Sequence, residues 1–288
     1  MARRAPAVDR SIAILNHLAA RPEQRFTLSE IARELNLNKA TLHAMLNALT
    51  DAGYLVRDDA TKTYGLGPAL VALGRAALQA SPATALAEPE MEGLAAETGL
   101  DVVASAAIHD EIVILARAGT PRPFGVNVQP GQRLPMRPPL GTVFVAWSGP
   151  TAIDRWLAIG GTKVSKADLA RYRTIVQTVR ARGYSVGLEA GSLARRLKGT
   201  DHPRSLEEGV RGVRVEEYAL LDLDEAESYR LNHIGAPVFG HDGEVTIALF
   251  LIGFTGPILA EQVDALAARL CDAAARVTDK IGGRAPAT

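Results

Sequence analysis

Across residues 26–53, apolar side chains recur at helical spacing in two short blocks separated by a polar joint. Leu28, Ile31, Ala32 and Leu35 form one apolar face. Ahead of it, Thr27 and Glu30 make a capping box, with Phe26 and Ile31 as a hydrophobic staple. Asn36 tolerates the left-handed conformation that ends a helix, Asn38 caps the next one, and Leu37 against Leu42 repeats the staple. The second block turns Leu42, Met45, Leu46 and Leu49 inward and stops at Gly53. Upstream, residues 8–20 predict a further helix with Val8, Ile12, Leu15 and Ala19 inward. Downstream, residues 54–57, 58–62 and 63–66 read as strand, turn and strand. Three helices and a hairpin predict a winged helix-turn-helix.

The outer face of the third helix carries Lys39, Ala40, Thr41, His43, Ala44 and Asn47, with no carboxylate before Asp51. A helix that lies beside phosphates and reads base edges needs that absence of negative charge. An ordinary solvated helix face is the competing reading, and the hairpin that follows favours the first. Asn38, Lys39, Thr41, His43 and Asn47 are therefore the expected DNA-binding residues, Asn47 being the side chain best suited to adenine. Arg57 and Lys62 flank the wing turn as expected phosphate contacts; a solvated hairpin tip is the alternative there. Arg3 and Arg4 are basic arm residues with the same two readings.

Residues 68–80 open with Pro68 at a helix's first turn. Leu70, Leu73, Ala77 and Leu78 give them a stripe too narrow to fold alone, which suits packing on a partner subunit or a neighbouring domain. Ser81 and Pro82 mark a boundary. Beyond it, residues 91–98 look helical and Gly99 closes them. Strands are expected at 101–108, 112–118, 124–128, 184–188, 234–239 and 245–252, with helices at 142–147, 152–159 and 166–182. A closing helix spans 257–280, with Val263, Leu266, Leu270 and Val277 on one side. The pattern predicts an antiparallel sheet covered on one face. The expected organisation is a head over 1–67, a linker helix over 68–81 and a second domain over 82–288.

Composition narrows the function classes. The chain has 288 residues, suggesting two domains, and 47% apolar content suits ordinary cores. No apolar run approaches membrane length, and no hydrophobic signal region follows the basic start, so a cytoplasmic location without a membrane partner is the expectation. The single cysteine, Cys271, excludes an intramolecular disulfide and a multi-cysteine zinc site. Net charge is zero, but residues 1–80 carry ten Lys/Arg against seven Asp/Glu. That small excess predicts modest, strongly salt-dependent non-specific affinity for DNA, which two heads on one site would offset.

Taken in order, the chain resembles the IclR family of bacterial transcription regulators. The residues that carry the likeness are Val8 through Leu15, the segment Leu37-Asn38-Lys39-Ala40-Thr41-Leu42-His43, Tyr64-Gly65-Leu66-Gly67-Pro68 after the wing, Arg182-Gly183-Tyr184, and Gly235-Ala236-Pro237-Val238-Phe239. The resemblance implies an α+β chain: an N-terminal winged helix-turn-helix, a linker helix that helps build a dimer, and a C-terminal GAF-like α/β effector-binding domain. The implied partners are a double-stranded DNA operator, a small-molecule effector and further copies of the chain in a dimer or tetramer. Ala44 stands where the family often has arginine.

In similar regulators the effector pocket lies on one sheet face, beneath the loop and helix after a Leu-Pro segment. The matching positions here are Leu140, Gly141, Thr142, Gly187, His233, Phe250 and Ile252. Thr142 replaces a common lysine, Gly187 an acid, His233 a cysteine, and Phe250 and Ile252 two serines. Polar anchors for a small organic acid have become apolar walls. The expected effector is therefore larger and more hydrophobic, with His233 as its polar handle; a core that simply closes the pocket is the alternative. Residues 189–229 form a segment far longer than the family's usual connection. No catalytic or metal constellation emerges: His109-Asp110 and His241-Asp242 fall in turns, Cys271 lies on the inner side of a helix as buried filler, and no phosphate-cradling loop or nucleophile elbow is present. The chain reads as a regulator without a cofactor rather than as an enzyme. A regulator that binds DNA without a ligand, its C-terminal domain serving assembly alone, is the alternative.

Overall fold

Thr27 decides where the second helix of the chain begins. Its Oγ1 accepts from the Glu30 amide at 3.3 Å, and the Glu30 carboxylate takes the Thr27 amide at 2.7 Å. Two amides that a helix start leaves unpaired are thereby satisfied, and the Thr27 amide bond holds the Glu30 carboxyl below its ordinary pKa. The computed structural model describes residues 5–79, 81–120, 128–159, 165–188 and 220–286. Its contacts divide the chain into two units, Met1–Ala80 and Ser81–Thr288.

The first unit runs α1 (Pro6–Ala19), β1 (Phe26–Thr27), α2 (Leu28–Glu34), α3 (Lys39–Asp51), β2 (Leu55–Asp58), β3 (Thr63–Leu66) and α4 (Ala69–Gln79). Helices α2 and α3 end alike. Asn36 (φ 52°) and Gly53 (φ 73°) are left-handed, and the amides of Leu37 and Tyr54 reach back 2.9 Å to the carbonyls of Ala32 and Leu49. The strands pair antiparallel in the order β1-β3-β2. Ile14, Leu18, Phe26, Ile31, Leu42 and Leu46 fill the core beneath them.

Gly67 ties the wing to the end of α3. A Cβ there would sit 2.2 Å from the Gly53 carbonyl oxygen and 2.9 Å from the Leu55 amide nitrogen. Only glycine allows the Gly67 amide to donate to Tyr54 at 2.7 Å while the Ala69 amide donates to Gly53 at 3.1 Å. One expectation fails in this unit. Val8 and Ile12 are 55% and 50% exposed, and the buried side chains of α1 are Ile14 and Leu18. A helix turns about 100° per residue, so a stripe drawn one residue out of phase keeps Leu15 at its edge and misses the core. The apolar side chains Val71 and Leu73 of α4 are likewise uncovered.

The second unit contains α5 (Pro82–Thr98), β4 (Asp101–Ile108), β5 (Glu111–Ala118), β6 (Arg133–Pro135), α6 (Thr142–Val145), α7 (Pro150–Ala158), α8 (Lys166–Arg182), β7 (Ser185–Leu188), β8 (Ser228–Phe239), β9 (Val245–Ile252), β10 (Pro257–Leu259) and α9 (Ala260–Lys280). The sheet is antiparallel, in the order β10-β8-β9-β4-β5-β6, with β7 also paired to β8. Along β9, Ile247, Leu249 and Leu251 enter a core beneath α5 and α9, whereas Ala248 and Phe250 face a second core with α6, α7 and α8. Successive strand residues point to opposite faces, so this sheet is covered on both faces, not on one as the pattern suggested.

Other boundaries move as well. Helix α5 begins at Pro82, well before residue 91, because proline suits a first turn. Strand β8 starts at Ser228 rather than 234, since its first residues pair with β10. Residues 257–259 are accordingly strand, not the start of the closing helix. The strand expected at 124–128 and most of the 189–229 segment lie outside the described residues. Among the described residues, no helix is long and apolar enough to cross a membrane.

Candidate nucleic-acid interface and effector site

The third helix presents the expected surface. Asn38 caps it by accepting the Ala40 amide at 2.9 Å. Leu42 and Leu46 are buried, Met45 and Leu49 half-buried, and Lys39, Ala40, Thr41, His43, Ala44 and Asn47 all exposed. Asn47 Nδ2 lies 3.4 Å from His43 Nδ1, so the two side chains form one polar patch a turn apart.

At the wing, Asp58 Oδ1 accepts from the amides of Ala60 (2.9 Å) and Thr61 (3.2 Å), an Asx turn that brings Lys62 to φ 54°. Those amides hold the Asp58 carboxyl below its ordinary pKa. Lys62 is exposed; Arg57 is partly exposed, 3.5 Å from Asp59, with its guanidinium 6.0 Å from the Tyr64 ring. Sequence reasoning passed over Arg25. Its guanidinium would be 3.3 Å from a Cβ at Gly65, so it lies across the wing sheet and adds a third cation there. Behind the head, Arg21 holds Glu34 at 2.7 Å and stacks 4.6 Å over Phe26.

In the second unit the register gathers the expected pocket positions on one sheet face. Gly187 pairs with His233, His233 with Ile252, and Gly235 with Phe250. Directly opposed residues project to the same side, here the side covered by α6 and α8. Two glycines make notches. A Cβ at Gly187 would fall 2.3 Å from the His233 ring, and one at Gly235 would fall 2.5 Å from the Phe250 ring. The two rings meet edge-on, with centroids 5.5 Å apart. Burial, with Arg182 nearby, pushes the His233 pKa down to about 4, so this imidazole is neutral at pH 7 and supplies no charge to a ligand.

Leu140, Gly141 and Thr142 belong to the layer over that face. Trp156 Nε1 donates to the Leu140 carbonyl at 2.9 Å. Gly141 (φ 87°) packs against Met136, where a Cβ would lie 2.5 Å from the sulfur. Thr142 is buried at the start of α6.

The same sheet face carries a charged pair that sequence reasoning missed. Asp101 lies opposite Ile252, Val103 opposite Phe250, and Arg117 opposite Val103. Arg117 Nη2 donates to Asp101 Oδ2 at 3.0 Å, and the side chains are only 9% and 5% exposed. The available signal was an arginine inside the apolar run of residues 112–118.

A separate cleft of about 460 Å³ opens beside Arg182, Tyr184, Asp222 and Asp264. Arg182 donates to the carbonyls of Tyr184 (2.7 Å) and Leu220 (3.1 Å). The Tyr184 hydroxyl donates to Asp264 at 2.8 Å, and burial together with that carboxylate pushes its pKa up to about 12. These groups satisfy one another, so the Arg182-Gly183-Tyr184 motif reads as a structural tie.

Comparison with known proteins agrees with this geometry. Residues 7–59 match the IclR helix-turn-helix domain. The glycerol operon regulatory protein of Streptomyces coelicolor is 30% identical over 195 residues, covering 66% of this chain and 75% of that one. The transcriptional regulator KipR of Bacillus subtilis is 24% identical over 96% of both chains. The crystal structure of an IclR transcriptional regulator from Alicyclobacillus acidocaldarius shares the fold, with TM-score 0.74 and 24% identity over 97% of this chain and all of that one.

Proposed function

The chain belongs to the IclR family of DNA-binding transcription regulators, and from that premise we propose how its residues divide the work. Lys39, Thr41, His43 and Asn47 enter the major groove, Asn38 meets a phosphate at the helix start, and Arg57 and Lys62 grip phosphates from the wing. The observation that carries this reading is the exposed, carboxylate-free face of α3, a helix capped by Asn38 and followed by the left-handed Gly53. The uncovered apolar stripe of α4 serves assembly into a dimer or tetramer, which brings two heads to one operator. An effector on the α6 side of the second sheet shifts operator affinity, and operator occupancy shifts effector affinity by the same factor.

Lys39→Ala is expected to weaken binding to every sequence and to lower the salt slope by about one. Asn47→Ala is expected to cost about 1–3 kcal/mol at one base position, relaxing specificity there alone. Anisotropy titrations against an operator and its single-base variants check both. If both variants keep the parent's affinity and preference, this placement of α3 is wrong.

One observation favours a second reading. The rings of His233 and Phe250 already fill the notches at Gly187 and Gly235, as they would in a ligand-independent regulator whose second unit serves assembly alone. Operator affinity that responds to no small molecule would support it.

A further inference from the structure

Lys39, His43 and Asn47 follow one another at four-residue intervals along α3 and so form one row on its exposed face. Ala40, Ala44 and Ala48 form the next row, equally exposed and without a polar side-chain atom. Within the first row, Asn47 Nδ2 faces His43 Nδ1 at 3.4 Å. A carboxamide nitrogen only donates, so Nδ1 is the acceptor, and a neutral imidazole that accepts at one nitrogen carries its proton on the other. One contact therefore sets two things. His43 offers Nε2–H as a donor, and Asn47 keeps its carbonyl oxygen and its second N–H for another partner.

Those are the groups that base edges distinguish. An amide presenting one acceptor beside one donor matches the N6–H and N7 of adenine. Rotation about the terminal torsion of an asparagine is broad and roughly two-fold, and an amide turned over sets N–H against N–H at that base. The His43 ring removes this freedom, while the alanine row offers no competing side-chain partner. In the free protein the bond is long and open to water. Against DNA the water is displaced, and a lower local dielectric strengthens it. The Nε2–H of His43, one turn nearer the start of the helix, meets an acceptor on guanine, adenine or thymine, whereas cytosine presents only its N4–H donor.

We propose that His43 is a positioning residue for base readout: its Nδ1 orients the Asn47 amide toward adenine, and its Nε2–H rejects cytosine at the neighbouring contact. This role rests on the placement of α3 in the major groove proposed above, and it assigns the base preference to the pair rather than to Asn47 alone. Glutamine at position 43 also supplies an acceptor one turn away. Lysine only donates, and it draws the Asn47 oxygen toward itself, turning the amide over.

The test uses the full chain to select duplexes from a random pool, then anisotropy titrations against the selected duplex and its single-base variants. Both side chains are exposed, so the substitutions leave the core of the head alone. Asn47→Ala identifies the base position that Asn47 reads, which is expected to be adenine. His43→Phe keeps a ring without an acceptor and should lower the adenine preference at that same position about three- to tenfold, the worth of one hydrogen bond. His43→Gln should restore most of it. His43→Lys should lower it as far as His43→Phe does while tightening binding to every sequence, through its added charge. Combined with Asn47→Ala, none of these substitutions should move the preference at that position further. His43 has no such role if His43→Phe leaves the adenine preference at the parent's value, if it lowers it equally with and without Asn47, or if the base read there is not adenine. A preference that Asn47→Ala abolishes and every His43 variant keeps removes the pairing and leaves the groove placement standing. If Asn47→Ala changes the preference at no position, the groove placement itself fails, and the role of His43 with it.

Discussion

Phe26→Ala is expected to destabilise the N-terminal unit by about 3–5 kcal/mol, the usual cost of deleting a buried aromatic side chain. Phe26 is fully buried, and its ring lies 4.9 Å from His17 and under the Arg21 guanidinium. It therefore joins the end of α1, the capping box of α2 and the first strand of the wing. A loss of that size is a large share of the 5–15 kcal/mol typical of a domain. Both tryptophans, Trp147 and Trp156, lie in the second unit. In urea, the circular-dichroism transition should split, with an early phase from the head and a tryptophan-fluorescence midpoint close to the parent's. A shift under about 1 kcal/mol would show that the head does not depend on this ring.

Arg117→Met is expected to destabilise the second unit by about 3–5 kcal/mol, because it strands the Asp101 carboxylate in a buried position without its cation. Adding Asp101→Leu to it should recover most of the loss, since replacing both members of a buried pair by apolar groups is often near neutral. The exposed pair Arg173–Asp154, at 2.7 Å with side chains 55% and 57% exposed, provides the contrast. Its removal should change stability by less than about 1 kcal/mol. Tryptophan-monitored urea titrations separate these outcomes. If the single and double variants lose the same amount, the cost comes from packing and not from a stranded charge.

The head was legible in the sequence because its determinants are local. The Thr27–Glu30 box, the left-handed Asn36 and Gly53, and the inner face of α3 each lie within a few residues of their partners. The phase of α1 was not legible. Val8 and Ile12 are as apolar as Ile14 and Leu18, and only the tertiary contact chooses between the stripes. In the second unit, the near-continuous apolar run of residues 245–252 was a signal for a strand buried on both faces, which the one-face expectation overlooked.

The candidate effector site depends on register, which sequence periodicity does not carry across strands. Gly187 receives the His233 ring and Gly235 the Phe250 ring only because β7, β8 and β9 pair as they do. Asp101 meets Arg117 across a hairpin whose register shifts at Ala104 and Ser105. That irregularity cannot be counted from spacing alone. The resemblance to the family pointed to positions 187, 233, 250 and 252, which the register brings to one face of the sheet, whereas the charged pair on β4 and β5 came into view only with the fold.

The central claim is that α3 and the wing grip duplex DNA, and footprinting the full chain on the region upstream of its own gene tests it most directly. The account predicts protected half-sites about one helical turn, or a multiple, apart, with affinity falling steeply as salt rises. Uniform reactivity along the whole fragment, at low ionic strength and with protein in excess, would contradict it.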